Sequence, residues 1–357
     1  MVRNVSIIIP CKNRPVLLLE TIASIRSQTC TNWEAVVVDD GSNDQTIGQM
    51  ESVSREDPRI RFLRRNGNFA GANVCRNLGF EASKGEYIIF LDSDDYLAPF
   101  CLERRVKTMQ DHPGLSFAVF PCRIFREKPG DTDFLWNADS GEDDIDRFLT
   151  LDIPWAIHSV IWRRAAFNTL EPWDEAIHYA QDWMHNLRTL TQRIPYRRFS
   201  GPDCSYRVPG PKGDSVTSQF NSPAYLHAQE SLLRPIRDML IGSQLFNEKR
   251  RRLLAGLHFS LAMRWQCECG STSEAFRVWE ICRENGLVDF IEYWQGWAFL
   301  RSKDLPVVWR ARKYSGQVFR NRYAVFRGST TIYRAPSVVK SERLPDARTE
   351  LRNAPER

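Results

Sequence analysis

Two acidic runs hold the residues best suited to chemistry: Asp39-Asp40-Gly41-Ser42 and Asp92-Ser93-Asp94-Asp95. Each follows a purely apolar stretch, Val36-Val37-Val38 in one case and Ile88-Ile89-Phe90-Leu91 in the other. Such a stretch reads as a buried strand of a parallel sheet, and ligands of open parallel sheets bind where the strands end. Hard divalent cations such as Mg2+ and Mn2+ take oxygen ligands and are held by one or two carboxylates together with substrate phosphates, a task that suits Asp92 and Asp94. The other carboxylates suit hydrogen bonds from a base or a ribose. One Asp-x-Asp alone is weak evidence, because acidic turns also cap helices and keep loops solvated. Its pairing with a second acidic strand end is what gives it weight.

The elements that must position these runs are legible from periodicity. Val5-Ser6-Ile7-Ile8-Ile9 predicts a strand; Leu18, Ile22 and Ile25 predict a helix with Asn13 as its cap and Pro15 in its first turn. Strand 34–38, a helix carrying Ile47 and Met50, strand 60–63, a helix with Val74, Leu78 and Ala82, and strand 86–91 follow. Then come a helix with Leu102, Val106 and Met109, strand-like segments at 115–125 and 157–162, a helix from near Gln181, and short strands within 196–208. The polar stretch 127–146 reads as a loop or lid. The expected class is α/β, a mostly parallel sheet flanked by helices, with a helical C-terminal region. Lys12 and Arg14 after the first strand, and Arg76, are placed to approach a base or diphosphate, although basic residues at loop starts are as often simply solvated.

Taken in order, Val5-Ser6-Ile7-Ile8-Ile9-Pro10, Val38-Asp39-Asp40-Gly41-Ser42, Arg76-Asn77, and Gly85-Glu86-Tyr87 through Leu91-Asp92-Ser93-Asp94-Asp95 resemble the family 2 glycosyltransferases of the GT-A fold over residues 4–215. Gln181-Asp182-Trp183 is similar to that family's acidic helix opening. The resemblance implies that Asp39 or Asp40 holds the uracil or ribose, Asp92 the ribose side, Asp94 the metal, and that Asp182 is the catalytic base. Pro10, Lys12, Arg14, Arg76 and Ser93 complete the expected donor-nucleotide set. The chain departs from the pattern at Cys11 and Lys12, where an aromatic residue or Thr is common, and at Gln181, where Glu is commoner.

These roles make chemical sense in themselves. Displacing a nucleoside diphosphate from an anomeric carbon needs a cation for the charge growing on the leaving phosphate and a base for the acceptor hydroxyl's proton. One base opposite the leaving group implies inversion. The expected activity is therefore inverting transfer from a nucleotide sugar, UDP-linked, to a glycan or lipid-linked glycan hydroxyl. Two rivals are a nucleotidyltransferase, which would want a Gly-rich phosphate loop that Pro10-Cys11-Lys12-Asn13-Arg14 lacks, and a non-catalytic binding or scaffold protein on the same fold.

Trp155, His158, Trp162 and Trp173 flank the expected acceptor side, but large aromatics are more often core. Cys267, Cys269, Cys282 and His258 lack the usual zinc spacing. Nine cysteines without a framework spacing fit reduced thiols. No window has the ~18 apolar residues of a membrane span, so a cytoplasmic location is expected. The net charge of +5 is uneven: up to Tyr225 there are 26 basic and 30 acidic residues, and beyond it 23 and 14. Nucleic acid is the poorer partner and is not expected to bind, because the acidic part repels phosphate and no recognition motif is present. Domains are expected at 1–221 (catalytic), 222–338 (helical, basic) and 339–357 (a disordered tail). Within the second, 306–327 combines Arg and Lys with aromatics at helical spacing, as in a helix that lies on an anionic membrane surface. Oligomeric state is not encoded in any of these patterns.

Overall fold

The computed structural model describes residues 4–65, 67, 70–136, 140–208, 219–301 and 339–340. The chain runs through β1 (Val5–Cys11), α1 (Pro15–Arg26), β2 (Trp33–Asp39), α2 (Asp44–Glu56), β3 (Ile60–Arg64), α3 (Ala72–Ala82) and β4 (Tyr87–Phe90). It continues with β5 (Tyr96–Leu97), α4 (Cys101–Asp111), β6 (Phe117–Val119), β7 (Cys122–Phe125), β8 (Phe134–Leu135), α5 (Asp144–Leu149), β9 (Val160–Arg163), α6 (Arg164–Phe167) and α7 (Gln181–Thr191). Last come β10 (Tyr196–Arg198), β11 (Cys204–Arg207), α8 (Pro223–Gly242), α9 (Glu248–Cys267), α10 (Thr272–Glu284), α11 (Phe290–Arg301) and β12 (Val339–Lys340).

Seven strands form the main sheet in the order β10-β6-β9-β4-β1-β2-β3, with β1 to β4 mutually parallel where they pair and β9 antiparallel to both its neighbours. All seven residues of β1 are buried, and side-chain alternation splits them between two cores. Ile8 joins Ile88, Phe90 and the apolar faces of α7 to α11, whereas Val5, Ile7 and Ile9 join α1, α2 and α4. The helical C-terminal region therefore shares a core with the sheet. A second sheet has the order β12-β8-β7-β11-β5, in which β11 pairs parallel with β7 and antiparallel with β5, the strand that follows the acidic run after β4.

Side-chain caps explain several helix starts. Asn43, Ser222, Asn247 and Ser271 each accept a backbone N–H in the first turn of α2, α8, α9 and α10. Asn13 does not cap α1 as its sequence suggested; its carboxamide oxygen accepts from the Asn43 amide at 2.8 Å, and its own amide donates to Ser42 at 2.9 Å. The two loops at the strand ends are thereby laced together. The 127–146 stretch is likewise more structured than a loop. It holds β8 and opens α5, whose acidic residues are tied down: Asp144 accepts from Tyr196 at 2.6 Å and pairs with Arg198, while Asp146 pairs with Arg250 at 2.8 Å.

No helix among the described residues is long and apolar enough to cross a membrane. The basic segment 306–327 lies outside the described residues, as does all of the expected tail except Val339–Lys340, which pairs antiparallel with β8.

Gly79 marks how closely α3 lies on the sheet: a Cβ there would meet Ile8 Cγ2 at 2.5 Å and Val38 Cγ2 at 3.2 Å. Gly79→Ala should therefore lower stability by about 1–3 kcal/mol, despite the better helix propensity of Ala, as read from urea unfolding midpoints.

Candidate active site

Four loops converge where β1, β2 and β4 end. Asp39 closes β2 in register with Cys11. Its carboxylate accepts from the amides of Gly41 and Ser42 at 3.1 Å, which shapes a turn in which Gly41 has φ +85°. Asp40 faces the next loop: Oδ1 accepts from Arg65 Nε at 2.7 Å and from the Gly71 amide at 2.9 Å, and Oδ2 lies 3.5 Å from Lys12 Nζ. Of the sequence candidates, Pro10 is buried within β1, and Lys12 is largely exposed.

Beyond β4 the acidic run keeps a strand-like alternation. Asp92 and Asp94 are half-buried, whereas Ser93 and Asp95 turn inward. Arg14 donates to Asp94 Oδ2 at 2.8 Å. Burial pushes the Asp94 carboxyl up to about 7, Asp95 and Asp92 add to the rise, and Arg14 opposes it. The oxygen donors and this surplus of negative charge fit a hard divalent cation at Asp92 and Asp94. Asp95 is committed elsewhere: Oδ2 lies 2.8 Å from His158 Nδ1, and Oδ1 accepts from the Arg207 amide at 2.9 Å. Arg207 also donates through Nε to the Asp94 carbonyl at 3.0 Å, so β11 braces the acidic turn from behind.

Arg76 joins this edge to α7. It is 5% exposed, with Nη2 2.9 Å from Asp92 Oδ1 and Nη1 2.8 Å from Gln181 Oε1, and its guanidinium lies 4.8 Å from the Trp173 ring centroid. Asp182 sits next to Gln181 in the first turn of α7, where its carboxylate accepts from the Trp183 amide at 2.9 Å. Burial pushes the Asp182 carboxyl up, while the nearby Arg76 charge pulls it down. The helix is entered through Ala180 at φ +54°, a left-handed conformation unusual for a residue with a Cβ and found preferentially at functional sites. Burial and the Asp182 charge raise the phenol of Tyr225, at the start of α8, so the C-terminal helices reach the same place.

The structure thus gathers Arg14, Asp39, Asp40, Arg76, Asp92, Asp94 and Asp182 around one edge. It does not bring Trp155, Trp162 or Trp173 to a ligand surface; all three are 1–3% exposed and belong to the core. Gln181, taken in sequence as a departure, is the link between Arg76 and α7. Arg65, Arg207 and Tyr225 were missed. An arginine directly after β3 and a Tyr206-Arg207 pair ending a late strand were the available signals; Tyr225 gave none.

Residues 6–170 match the family model described as glycosyl transferase family 2. This stretch belongs to that family. A Rickettsia felis protein named as a glycosyltransferase is 39% identical over 109 residues, which are 30% of this chain and 18% of the relative. The GalNAc(5)-diNAcBac-PP-undecaprenol beta-1,3-glucosyltransferase of Campylobacter jejuni is 37% identical over 124 residues, 35% of this chain and 40% of the relative. The chain thus spans well under two thirds of either relative. Among solved structures, residues 1–349 of S. aureus TarS in complex with UDP superpose with a TM-score of 0.56 at 18% identity, covering 93% of this chain and 91% of that one. The shared architecture is the GT-A fold, an α/β core with a mainly parallel sheet between helices.

Asp40→Ala would leave the Gly71 amide and the Arg65 Nε–H without their acceptor, with Gly67 O the remaining partner of that guanidinium among the described residues. It should lower stability by about 2 kcal/mol, measured by denaturant unfolding of the ligand-free protein.

Proposed function

We propose that the chain is an inverting glycosyltransferase that moves a sugar from a UDP-linked donor to a hydroxyl of a glycan or lipid-linked glycan. The reading rests above all on the Arg76 bridge, which ties Asp92, at the donor edge, to the helix that presents Asp182. The family of residues 6–170, the UDP bound to TarS and the undecaprenol-linked substrate in the name of the Campylobacter relative support it. In this reading residues 1–221 form the catalytic domain and 222–338 an appended region, whose described helices lie within 223–301 and contribute Tyr225.

The uracil and ribose lie along Asp39, Asp40 and Asp92, and Lys12, Arg14 and Arg76 lend positive charge towards the diphosphate. Asp92 and Asp94 would hold Mg2+ or Mn2+, which neutralises charge on the departing diphosphate. Asp182 takes the proton of the acceptor hydroxyl as that oxygen bonds to the anomeric carbon and the bond from that carbon to the phosphate oxygen breaks, releasing UDP. Its burial suits the role, since a raised carboxyl makes a stronger base near neutral pH. Attack from the face opposite the diphosphate inverts the anomeric centre and yields a β-linked product from an α-linked donor.

The test is UDP release with a panel of UDP-sugars and glycan acceptors in Mg2+ or Mn2+, with the product anomer read by NMR. A β-linked product, with kcat about a thousandfold lower in Asp182→Asn at little changed donor affinity, is expected. An α-linked product, or full activity of Asp182→Asn, would overturn the assignment of the base.

A further inference from the structure

Behind the acidic turn lies a second group of metal-binding atoms. Cys122 opens β7 and Cys204 opens β11, and the two residues are direct register partners in the parallel pairing of these strands. His158 reaches them from the single turn of 3-10 helix, Ile157–Ser159, that precedes β9. Cys122 Sγ and His158 Nε2 are 3.1 Å apart, and the ligand atoms of all three residues lie within 4.8 Å of one another. None of the three is more than 2% exposed.

We propose that Cys122, His158 and Cys204 form a structural zinc(II) site. Two sulfurs and an imidazole are the donors zinc favours, and bonds of about 2.3 Å to sulfur and 2.0 Å to nitrogen place ligand atoms at separations of this size. Nδ1 lies 2.8 Å from the Asp95 carboxylate, which leaves Nε2, 3.1 Å from Cys122 Sγ, as the ring nitrogen on the sulfur side. A carboxylate behind a histidine ligand is the usual outer support of such sites. Ser159 Oγ, 3.9 Å from Cys204 Sγ, lies at a suitable separation for the fourth ligand. Charge balances as well, because binding releases the two thiol protons and two thiolates neutralise the dication in a place with no access to water.

The three ligands belong to three separated segments, so the ion would pin β7 and β11 to the turn before β9. Asp95 and Arg207 connect that junction to the back of Asp94. Residues 122, 158 and 204 are far apart in the chain, so no ligand spacing announces the group. Among the described residues, Cys122, His158 and Cys204 are the one such group, and Cys267 is exposed.

The experiment is elemental analysis of the full chain, expressed in zinc-supplemented medium and dialysed against EDTA. Wild type and Asp94→Ala should each keep about one zinc per chain, and Cys122→Ser/Cys204→Ser should keep almost none. Should that double variant fail to fold, cobalt(II) exchange into the wild type is decisive: a thiolate-to-cobalt charge-transfer band supports the site. Wild type that keeps no zinc and takes up no cobalt, or that takes up cobalt without that band, overturns it, as does zinc retained by the folded double variant or a Cys122–Cys204 disulfide in the fresh protein. These readouts are independent of glycosyl transfer.

Discussion

Carboxylates crowded at the carboxyl edge of a parallel sheet repel one another, and the structure around them is arranged to hold that repulsion. Asp92, Asp94 and Asp95 fall within four residues, with Asp39 and Asp40 at the neighbouring strand end. Asp39 is satisfied by backbone amides, Asp40 by Arg65 and an amide, and Asp95 by His158 and the Arg207 amide. Asp92 and Asp94 each have one arginine and remain half-open to solvent. Full neutralisation would leave nothing to bind a cation or organise a diphosphate. Less would not let the loops close.

Arg76 carries the link from this edge to the rest of the molecule. A single planar guanidinium, nearly buried and lying near Trp173, reaches a carboxylate on one side and a carboxamide on the other. Lysine could not make both contacts with the same rigidity. Because Gln181 is neutral, Arg76 keeps more of its charge for Asp92 and for the approach of Asp182 than it would beside a glutamate. Packing supports this electrostatic arrangement: α7 and α8 share their core with β1 and β4, so the position of Asp182 depends on helices far along the chain.

Much of this was legible in sequence, for identifiable reasons. The ends of β2 and β4 are apolar runs, Val36-Val37-Val38 and Ile88-Ile89-Phe90-Leu91, that stop at acids, and β1 carries Ile7-Ile8-Ile9 before its basic loop; such runs fit buried parallel strands. Helices α1 to α4 showed clear periodicity. The reading failed where polar residues have partners remote in the chain. Asp144 and Asp146 look like solvated loop acids until Arg198 and Arg250 are placed beside them. Asn13 resembles a helix cap because the sequence does not show that the Ser42 loop lies closer. Arg207 and the Cys122–Cys204 pair depend on how the second sheet is paired: β7 and β11 fall within the strand-like segments read from sequence, but strands of two to four residues carry no signal for which of them are neighbours.

The central claim, that the acidic edge is a cation-assisted nucleoside diphosphate site, is tested most directly by calorimetric titration of UDP, with GDP and ADP for comparison, with and without Mn2+, into the wild type and Asp94→Ala. The account predicts that UDP binds the wild type in preference to the other nucleotides, that Mn2+ strengthens binding, and that Asp94→Ala abolishes the Mn2+ effect while the protein stays folded. No binding of any nucleotide by the folded wild type, or an unchanged Mn2+ effect in Asp94→Ala, would contradict it.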